Sequence, residues 1–224
     1  MNLKVGVLAI QGGFSEHEYA LLRCLKQNGG VLDNLNLEIS RVTQAEDVKG
    51  LDGLIIPGGE SSVSSLIMDD AILDELNIWA NDDKHVVFGT CAGLIALSKN
   101  IENSMEGQQS RFSKLARINV TTSRNFFGRQ LNSFEGQVAI NEKAVSKFAK
   151  NKPQDIFNGV FIRAPGIVAI NGLAVKTLAT LHIEGTDVIV GVEEKNCIAL
   201  AFHPELTEDI RWHAYFLNMI MERK

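Results

Sequence analysis

The chain has 224 residues, of which 45% are hydrophobic, and its formal net charge is −5. This length and apolar fraction predict one compact α/β domain that spans residues 1–224. A mildly acidic chain without a Lys/Arg block lacks the basic face that a nucleic-acid backbone requires. No apolar run approaches the length of a membrane span. We expect no secretory signal either, because the first apolar stretch is short and lacks a charged flank.

The three cysteines, Cys24, Cys91 and Cys197, show no regular spacing. An odd number of scattered cysteines is typical of a reducing compartment, so we expect a cytoplasmic protein without disulfides. Cys24 falls in a helical pattern and Cys197 in a strand pattern, and both are expected in the core. No group of cysteines and histidines has the spacing of metal ligands, so neither a metal site nor a cofactor is predicted.

Short apolar runs alternate with amphipathic stretches over roughly the first hundred residues, which predicts strands alternating with helices. The predicted strands cover residues 3–10, 37–42, 53–56 and 85–89. The predicted helices cover residues 14–27, with Ser15 as a candidate cap, 61–81 and 94–98. Near-continuous apolar strands separated by helices imply a mostly parallel sheet that is covered on both faces.

From about Leu115 the pattern changes to strands with few helices between them. Strand-like runs cover residues 118–122, 136–140, 160–163, 175–181, 188–193 and 198–202. They predict an antiparallel extension together with the rest of the main sheet. Residues 207–223 are predicted to close the chain as a helix, with Thr207 as its cap and with Glu208 and Asp209 at its positive end.

Residues 89–93 read Gly-Thr-Cys-Ala-Gly and lie between an apolar strand and a helical stretch. A strand, a tight turn with a central nucleophile and a helix make up the elbow of G-x-S-x-G hydrolases, here with sulfur in place of oxygen. The glycines are needed because strand and helix pack closely at such a turn. A helix that begins just after Cys91 directs its positive end at the sulfur, which favours the reactive thiolate.

A second segment, residues 199–206, runs from an apolar strand into His203, Pro204 and Glu205. Pro204 cannot donate a ladder hydrogen bond, which places the segment at a strand end. Side chains at positions i and i+2 of an extended chain point to the same side, so Glu205 can orient the His203 imidazole. Cys91, His203 and Glu205 are therefore predicted to meet in space as nucleophile, base and orienting acid.

Each segment also has an ordinary structural interpretation when it is taken alone. A cysteine between glycines is commonly a small buried side chain, and a histidine near a glutamate is commonly a solvated surface pair. The Pro-Gly-Gly turn at residues 57–59 is either an ordinary turn or a loop whose N–H groups approach a ligand, and the P-loop pattern is missing. The two segments together favour catalysis, and the N–H groups of Gly59 and Ala92 are then candidate oxyanion donors.

Together these residues resemble the triad class of glutamine amidotransferases, in which a Cys in G-x-C-x-G and an F-H-P-E near the C-terminus form a Cys-His-Glu triad. Within that class the chain is most similar to the family of glutaminase subunits of pyridoxal 5′-phosphate synthase (PdxT/SNO). The most specific markers are R-N-x-x-G-R-Q at residues 124–130 and F-I-R-A-P at residues 161–165. Further matching segments are residues 8–12 with Glu16 and His17, residues 57–61, and residues 133–135.

The resemblance implies a flavodoxin-like fold, with a central, mostly parallel sheet flanked by helices and an antiparallel extension. It makes Cys91 the nucleophile, His203 the base and Glu205 its orienting partner. Gln11 matches a residue near the active site that helps to organise the oxyanion hole when a partner docks. The positions that match the family's glutamine contacts are Gly59, Glu60, Ser61, Arg124, Ile162 and Arg163. Arginine suits the α-carboxylate of glutamine, and a carboxylate suits its α-ammonium group.

The chain departs from the family pattern in three places. Gly13 stands where the family often has an acidic residue after Gln-Gly. Ser61 is followed by Ser62, Val63 and Ser64, where the family often has threonine. Residues 28–36 look like a surface insertion. None of these departures removes a member of the triad.

The resemblance implies that the chain hydrolyses L-glutamine to L-glutamate and ammonia, and that a synthase subunit takes up the ammonia through an internal tunnel. That partner combines ammonia with a pentose phosphate and a triose phosphate to build pyridoxal 5′-phosphate, the active form of vitamin B6. The implied partner is a ring-shaped synthase core, and glutaminases of the family are nearly inactive without it. Neither nucleic acid nor a membrane is expected as a partner.

Three other functions are open at this point. The chain could be the glutaminase of another ammonia-channelling synthase, such as imidazole glycerol phosphate synthase, although that family lacks R-N-x-x-G-R-Q and F-I-R-A-P. It could be a cysteine hydrolase of peptides or esters. It could also be a regulatory subunit that keeps the fold without turnover; the expected sign of such a subunit is a lost triad residue, and all three are present.

Overall fold

The computed structural model describes residues 1–27, 35–59, 70–102, 115–128, 133–141, 144 and 155–224, and apolar runs form the centre of its β-sheet. Strands β3 (Gly53–Ile56), β4 (Val86–Thr90) and β12 (Cys197–Leu200) are buried along their whole length. A strand that is covered on both faces needs apolar or small residues at every position, not at alternate ones. This explains why these segments lack the alternation of a half-exposed strand.

Five parallel strands form one half of the sheet, in the order β2-β1-β3-β4-β12. This order is that of a flavodoxin-like doubly wound sheet, as the resemblance implies. The first two strands are β1 (Asn2–Leu8) and β2 (Asn36–Val42), and the helices of this half are α1 (Phe14–Gln27), α2 (Asp70–Ala80) and α3 (Ala92–Leu97). The carboxyl ends of all five strands lie at the same edge, where sheets of this kind bind ligands.

The remaining strands extend the sheet beyond β12 and are mostly antiparallel. They are β5 (Ser98–Ile101), β6 (Ile118–Ser123), β7 (Ser133–Ile140), β8 (Ile156–Ile162), β9 (Gly166–Ile170), β10 (Lys176–Ile183) and β11 (Thr186–Glu194). The sheet continues in the order β12-β11-β10-β7-β8, and a branch of β9, β6 and β5 leaves from β11. The predicted combination of a parallel sheet with an antiparallel extension is therefore confirmed.

Two of these strands, β5 and β9, are not anticipated by the sequence pattern. β5 is a short polar segment that follows α3 directly, and the predicted helix over residues 94–98 in fact covers Ala92–Leu97. The Ser98 hydroxyl donates a hydrogen bond of 2.7 Å to the Leu94 carbonyl, which completes the helix end. β9 is half exposed, and its partners β6 and β11 are distant in sequence.

The C-terminal helix α4 (Arg211–Met221) begins four residues later than predicted, so the prediction of Thr207 as its cap is wrong. The Thr207 hydroxyl instead donates to the Pro204 carbonyl at 3.0 Å, because Pro204–Leu206 form a separate 3₁₀ turn. An Asp209 carboxylate oxygen accepts the Arg211 N–H at 3.1 Å, which satisfies one free donor of the helix. Ser15 is also not a cap, since α1 already begins at Phe14.

The core confirms the burial predicted for two of the cysteines. Cys24 and Cys197 are fully buried, and burial raises the pKa of each thiol to about 12, so both are inert core residues. Residues 61–69 of the predicted helix over 61–81 lie outside the described residues. Within the part of the chain that is described, no helix is long and apolar enough to cross a bilayer.

Candidate active site

Cys91 occupies the turn between β4 and α3 and has backbone angles φ 50° and ψ −102°. A non-glycine residue with positive φ is strained, and such strain persists only where the surroundings fix the backbone. Here the Cys91 N–H donates to the Leu200 carbonyl of β12 at 2.8 Å, which ties the turn to the neighbouring strand. The side chain is only 7% exposed. Strand, strained nucleophile and helix thus follow one another as the sequence predicts.

The glycines on either side of Cys91 are required by close packing. A Cβ at Gly89 would lie 2.7 Å from the carbonyl group of Gly93, and a Cβ at Gly93 would overlap the carbonyl oxygen of Ile56. In both cases the obstacle is backbone, which cannot swing aside as a side chain does. The steric reason given for the Gly-x-Cys-x-Gly pattern is confirmed.

His203 and Glu205 follow the end of β12, the strand next to β4. The His203 Nδ1 lies 2.7 Å from Glu205 Oε1, so the carboxylate accepts the Nδ1–H and leaves Nε2 available to a reacting group. A Cβ at Gly58 would overlap the His203 ring and would lie 2.9 Å from the Cys91 Cβ. The imidazole and the thiol therefore meet over Gly58, where no side chain separates them.

Electrostatics at this pair favours charge separation. Burial lowers the pKa of His203, but hydrogen bonds to Cys91 and Glu205 outweigh burial and raise that pKa to about 10. Burial also raises the pKa of Glu205, yet His17 and His203 beside it hold the pKa below its usual range. At neutral pH the site therefore contains a carboxylate and an imidazolium next to the Cys91 sulfur.

A cavity of about 350 Å³ opens above Cys91 and His203. Five residues predicted from the sequence as glutamine contacts or oxyanion donors line it: Gly59, Ala92, Arg124, Ile162 and Arg163. The volume suits a small ligand, and two arginines give its wall a positive charge. Ile95, Asn125 and Pro165 also line the cavity, and no motif in the sequence predicts a role for their side chains.

The two arginines come from the antiparallel extension, beyond the ends of β6 and β8. Arg163 has a φ of 43°, so it is a second strained non-glycine residue at the cavity. The carbonyl oxygen of Ile162, its neighbour, lies 4.0 Å from Cys91 Sγ. A Cβ at Gly166 would overlap the ring of Phe126. This close contact holds the loop after β6 against β9.

Gln11 and the turn at Gly58 and Gly59 lie together at the ends of β1 and β3. A Cβ at Gly59 would lie 3.2 Å from the side-chain amide of Gln11, so this amide lies against the predicted oxyanion donor. Gly12, with a φ of 86°, packs directly on the Gly58 carbonyl. Glu60 and Ser61, the other predicted contacts of this turn, lie outside the described residues.

Two departures from the family pattern can be located. A Cβ at Gly13 would lie 3.2 Å from Glu205 Oε1, so the residue with no side chain abuts the triad carboxylate. Most of the predicted surface insertion, residues 28–34, lies outside the described residues. Its last residue, Asn36, belongs to strand β2 and not to an insertion.

Sequence reasoning gave no chemical role to three buried polar residues behind the triad: His17, Thr90 and His213. All three are fully buried. His17 Nε2 lies 3.4 Å from Glu205 Oε2, on the side of the carboxylate away from His203. The available signal was a histidine on the buried face of each of two amphipathic helices, but periodicity does not reveal that these faces meet.

Comparisons with known proteins find relatives over nearly the whole chain. The model of the SNO glutamine amidotransferase family matches residues 7–222. The chain is 39% identical over 221 residues to pyridoxal 5′-phosphate synthase subunit PdxT of Methanosarcina barkeri, covering 98% of this chain and 99% of the relative. It is 36% identical over 240 residues to the probable subunit pdx2 of Dictyostelium discoideum, covering 98% and 93%.

Solved structures give the same result. A crystal structure of a glutamine amidotransferase superposes with a TM-score of 0.75 at 36% identity, covering 97% of this chain and 98% of the other. The structure of PurLQS from Thermotoga maritima superposes with a TM-score of 0.67 at 16% identity over the full length of both chains, and it shows a shared fold only. The match to the family model, the identity to full-length relatives and the fold lead to one conclusion: the chain belongs to the SNO glutamine amidotransferase family.

Proposed function

We propose that this chain hydrolyses L-glutamine to L-glutamate and ammonia, and that the ammonia passes to a synthase subunit that makes pyridoxal 5′-phosphate. The single observation that carries the chemical part is the His203–Glu205 pair at 2.7 Å, packed over Gly58 against Cys91 at the base of one cavity. Membership of the family and the PdxT names of its relatives support the biosynthetic part.

The first half of the reaction forms a glutamyl thioester. The Cys91 thiolate attacks the side-chain amide carbon of glutamine, and the N–H groups of Gly59 and Ala92 stabilise the oxyanion. His203 then gives its Nε2 proton to the departing nitrogen while the C–N bond breaks, and ammonia leaves. Glu205 keeps the Nδ1–H of His203 in place throughout, so that Nε2 always faces the reacting atoms.

The second half of the reaction releases glutamate. His203, now neutral, takes a proton from a water molecule that attacks the thioester carbon. The C–S bond breaks and Cys91 leaves as a thiolate, which restores the imidazolium–thiolate pair. The pKa of His203, raised to about 10, suits the first step because the proton needed by the leaving group is already present.

The cavity binds the α-carboxylate and the α-ammonium group of glutamine. Arg124 and Arg163 provide guanidinium groups for the α-carboxylate, which an arginine grips with two parallel hydrogen bonds. Glu60 provides a carboxylate for the α-ammonium group, and Ser61 lies next to it in sequence. Ile162 supplies backbone beside the sulfur, since its carbonyl oxygen lies 4.0 Å from Cys91 Sγ.

The partner is a synthase core, which we expect to be ring-shaped, and the pair functions in the cytoplasm. Ammonia that escapes into water becomes ammonium and is lost as a nucleophile, so release has to be coupled to capture. Gln11 is the residue through which docking controls the oxyanion hole, because its amide lies against Gly59. The chain functions as one domain over residues 1–224.

The test is glutamate release from glutamine by the chain mixed with a pyridoxal 5′-phosphate synthase core. We expect strong stimulation by the core and a loss of at least about a thousandfold in Cys91→Ala. Cys24→Ala is the matched control, since it removes a thiol that lies in the core. Retained turnover in Cys91→Ala would overturn the assignment. If an imidazole glycerol phosphate synthase core stimulated the chain and the pyridoxal 5′-phosphate synthase core did not, the proposed role in pyridoxal 5′-phosphate synthesis would be wrong.

A further inference from the structure

A buried polar cluster lies behind the triad, on the far side of Glu205, and we call it the histidine cluster. It consists of His17, Thr90 and His213, each with no exposed surface. His17 Nδ1 lies 2.9 Å from His213 Nε2, and His17 Nε2 lies 3.2 Å from the Thr90 hydroxyl oxygen. The same Nε2 lies 3.4 Å from Glu205 Oε2. The ring of His17 thus spans the space between helix α4 and the triad carboxylate.

Glu205 needs a second partner that the triad does not provide. Its Oε1 accepts from His203, but its Oε2 is buried and makes no well-directed hydrogen bond with any described residue. A buried carboxylate oxygen without a donor is costly, and the carboxylate would turn or take up a proton to avoid that cost. The N–H of His17 is the polar group that lies against this oxygen.

The contacts select one tautomer for each ring. If His17 carried its proton on Nδ1, its Nε2 lone pair would face the Glu205 carboxylate, and His213 would hold a buried Nδ1–H with no acceptor among the described residues. If His213 donates its Nε2–H to His17 Nδ1, both faults disappear. His17 Nε2–H then lies between Thr90 and Glu205, and only the weakly polar lone pair of His213 Nδ1 is left without a partner.

The Thr90 hydroxyl anchors this arrangement to the elbow. Thr90 directly precedes Cys91 in the chain, and its hydroxyl oxygen accepts a hydrogen bond from the N–H of Gly58 at 3.1 Å. Gly58 is the residue over which Cys91 and His203 meet. The cluster therefore contacts the site at two points, the carboxylate of Glu205 and the backbone N–H of Gly58.

We propose that His17 is a positioning residue for glutamine hydrolysis: its Nε2–H bonds to Thr90 and lies against the outer oxygen of Glu205 at 3.4 Å, and His213 fixes the tautomer that places this proton there. The proposal rests on the proposed function, in which Glu205 orients His203. His17 does not contact the reacting atoms. It keeps the carboxylate ionised and in plane, so that His203 retains its Nδ1–H bond and its charge.

The electrostatic surroundings agree with neutral rings. Burial lowers the pKa of His17, although Glu205 and Glu16 face it and oppose the change. Burial lowers the pKa of His213 further, and His17 and Arg23 act in the same direction. A neutral His17 presents a single N–H dipole to Glu205, so the triad carboxylate keeps its full charge for His203.

The test compares two amides at position 17, with glutaminase turnover measured in the complex with the synthase core. In His17→Gln the amide nitrogen takes the place of the imidazole Nε2, so its N–H can still reach Glu205. In His17→Asn the amide nitrogen takes the place of Nδ1, so its N–H reaches only His213. We expect His17→Gln to stay within about threefold of the wild-type kcat and His17→Asn to lose about 10- to 100-fold, with KM for glutamine unchanged in both. His85→Gln, at the opposite edge of the sheet, is the control.

A second readout needs no synthase. The rate at which iodoacetamide alkylates Cys91 is followed against pH by mass spectrometry. In His17→Asn we expect the midpoint of this rate to move up by about one pH unit, because a weakened Glu205 supports the imidazolium less. His213→Leu no longer fixes the tautomer of His17, so we expect it to raise the pH midpoint of alkylation as well. His213→Gln keeps a hydrogen-bond donor to His17, so we expect it to leave the midpoint unchanged.

The outcomes separate the two proposals. Equal kcat values in His17→Gln and His17→Asn together with unshifted alkylation profiles would overturn the positioning role, even with the wild type fully active. A wild type without turnover on every synthase core would overturn the proposed function, and the alkylation profiles would still decide whether His17 supports the triad. A uniform loss of activity at all pH values in both amides would assign His17 to folding alone.

Discussion

The parallel half of the sheet and its antiparallel extension contribute to the cavity in different ways. The parallel half carries the proposed reacting groups, with Cys91 after β4 and with His203 and Glu205 after β12. The extension carries the arginines, with Arg124 after β6 and Arg163 after β8. In the proposed function, the reacting groups therefore follow strands that are buried throughout, and the glutamine contacts follow strands that are only half buried.

This division has a physical basis. Neighbouring parallel strands that are packed on both faces leave little freedom at their ends, so they can hold a thiol and an imidazole to within tenths of an ångström. The half-exposed strands of the extension tolerate more adjustment, which suits groups that only need to reach a charged ligand. Substitutions in the parallel half should therefore change kcat or folding, and substitutions in the extension should change KM.

The largest effect should come from the triad. We expect His203→Asn to lower kcat by at least about a thousandfold with little change in KM, because it removes the group that carries the proton in both steps. Steady-state glutaminase assays with the synthase core measure both constants. His182→Asn is the control, because His182 is an exposed histidine on β10. A larger change in KM than in kcat for His203→Asn would contradict the division between the two halves of the sheet.

The next effect concerns folding of the parallel half. Gly93→Ala should destabilise the protein by about 3 kcal/mol, because the new Cβ would overlap the Ile56 carbonyl and backbone has to move. Gly185→Ala meets no atom within 4 Å and costs only the strain of its φ of 75°, about 1 kcal/mol. Chemical denaturation of both variants gives the difference, and equal values would show that the elbow is less tightly packed than described.

A smaller effect is expected in the extension. Arg163→Ala should raise the KM for glutamine by about 10- to 100-fold and change kcat by less than about threefold, since it removes a carboxylate contact that does not change during the reaction. Arg41→Ala is the control, because Arg41 pairs with Glu18 on the surface of the parallel half. A loss confined to kcat would mean that the strained Arg163 also positions the Ile162 carbonyl.

The smallest effect is a pH dependence of stability. His17 and His213 have lowered pKa values, so the unfolded chain takes up protons below the ordinary value of 6.5 while the folded chain does not. The free energy of unfolding should fall as the pH drops below about 6.5, by at most about 1.4 kcal/mol per pH unit for each ring. His203 acts in the opposite sense: its contribution is complete below 6.5 and is lost as pH rises through about 10.

Denaturation of His213→Gln at about pH 5.5 and 7.5 tests this slope. The variant should lose less stability on acidification than the wild type, because one buried imidazole is gone. His182→Gln removes an exposed imidazole from the extension and should keep the wild-type slope. An unchanged slope in His213→Gln would mean that the ring is protonated in the folded protein.

The sequence determines much of this fold, for reasons that differ between elements. β3 and β4 could be located because strands buried on both faces are nearly continuous apolar runs. β5 could not, because three of its four residues are polar and the segment acquires strand geometry only by pairing with β6. The start of α4 could not be located either. Thr207 is a residue type that often caps helices, but its hydroxyl donates to the Pro204 carbonyl of the preceding turn.

The site shows the same limits. Spacing within one strand end was enough to pair His203 with Glu205, and the elbow pattern was enough to single out Cys91. Their proximity required the neighbouring positions of β4 and β12, which the chain order conceals. His17 and His213 are separated by almost the whole chain and meet only because α1 packs on α4.

The contact of Gly12 with the Gly58 carbonyl has a mechanical consequence. The two turns touch backbone to backbone, with no side chain between them to yield. We expect that a displacement of the outer turn, where Gln11 lies, is transmitted directly to the Gly58 peptide beside Cys91 and His203. A side chain at position 12 would force the two turns apart, which would weaken the proposed coupling between a partner that docks at Gln11 and the groups at Cys91 and His203.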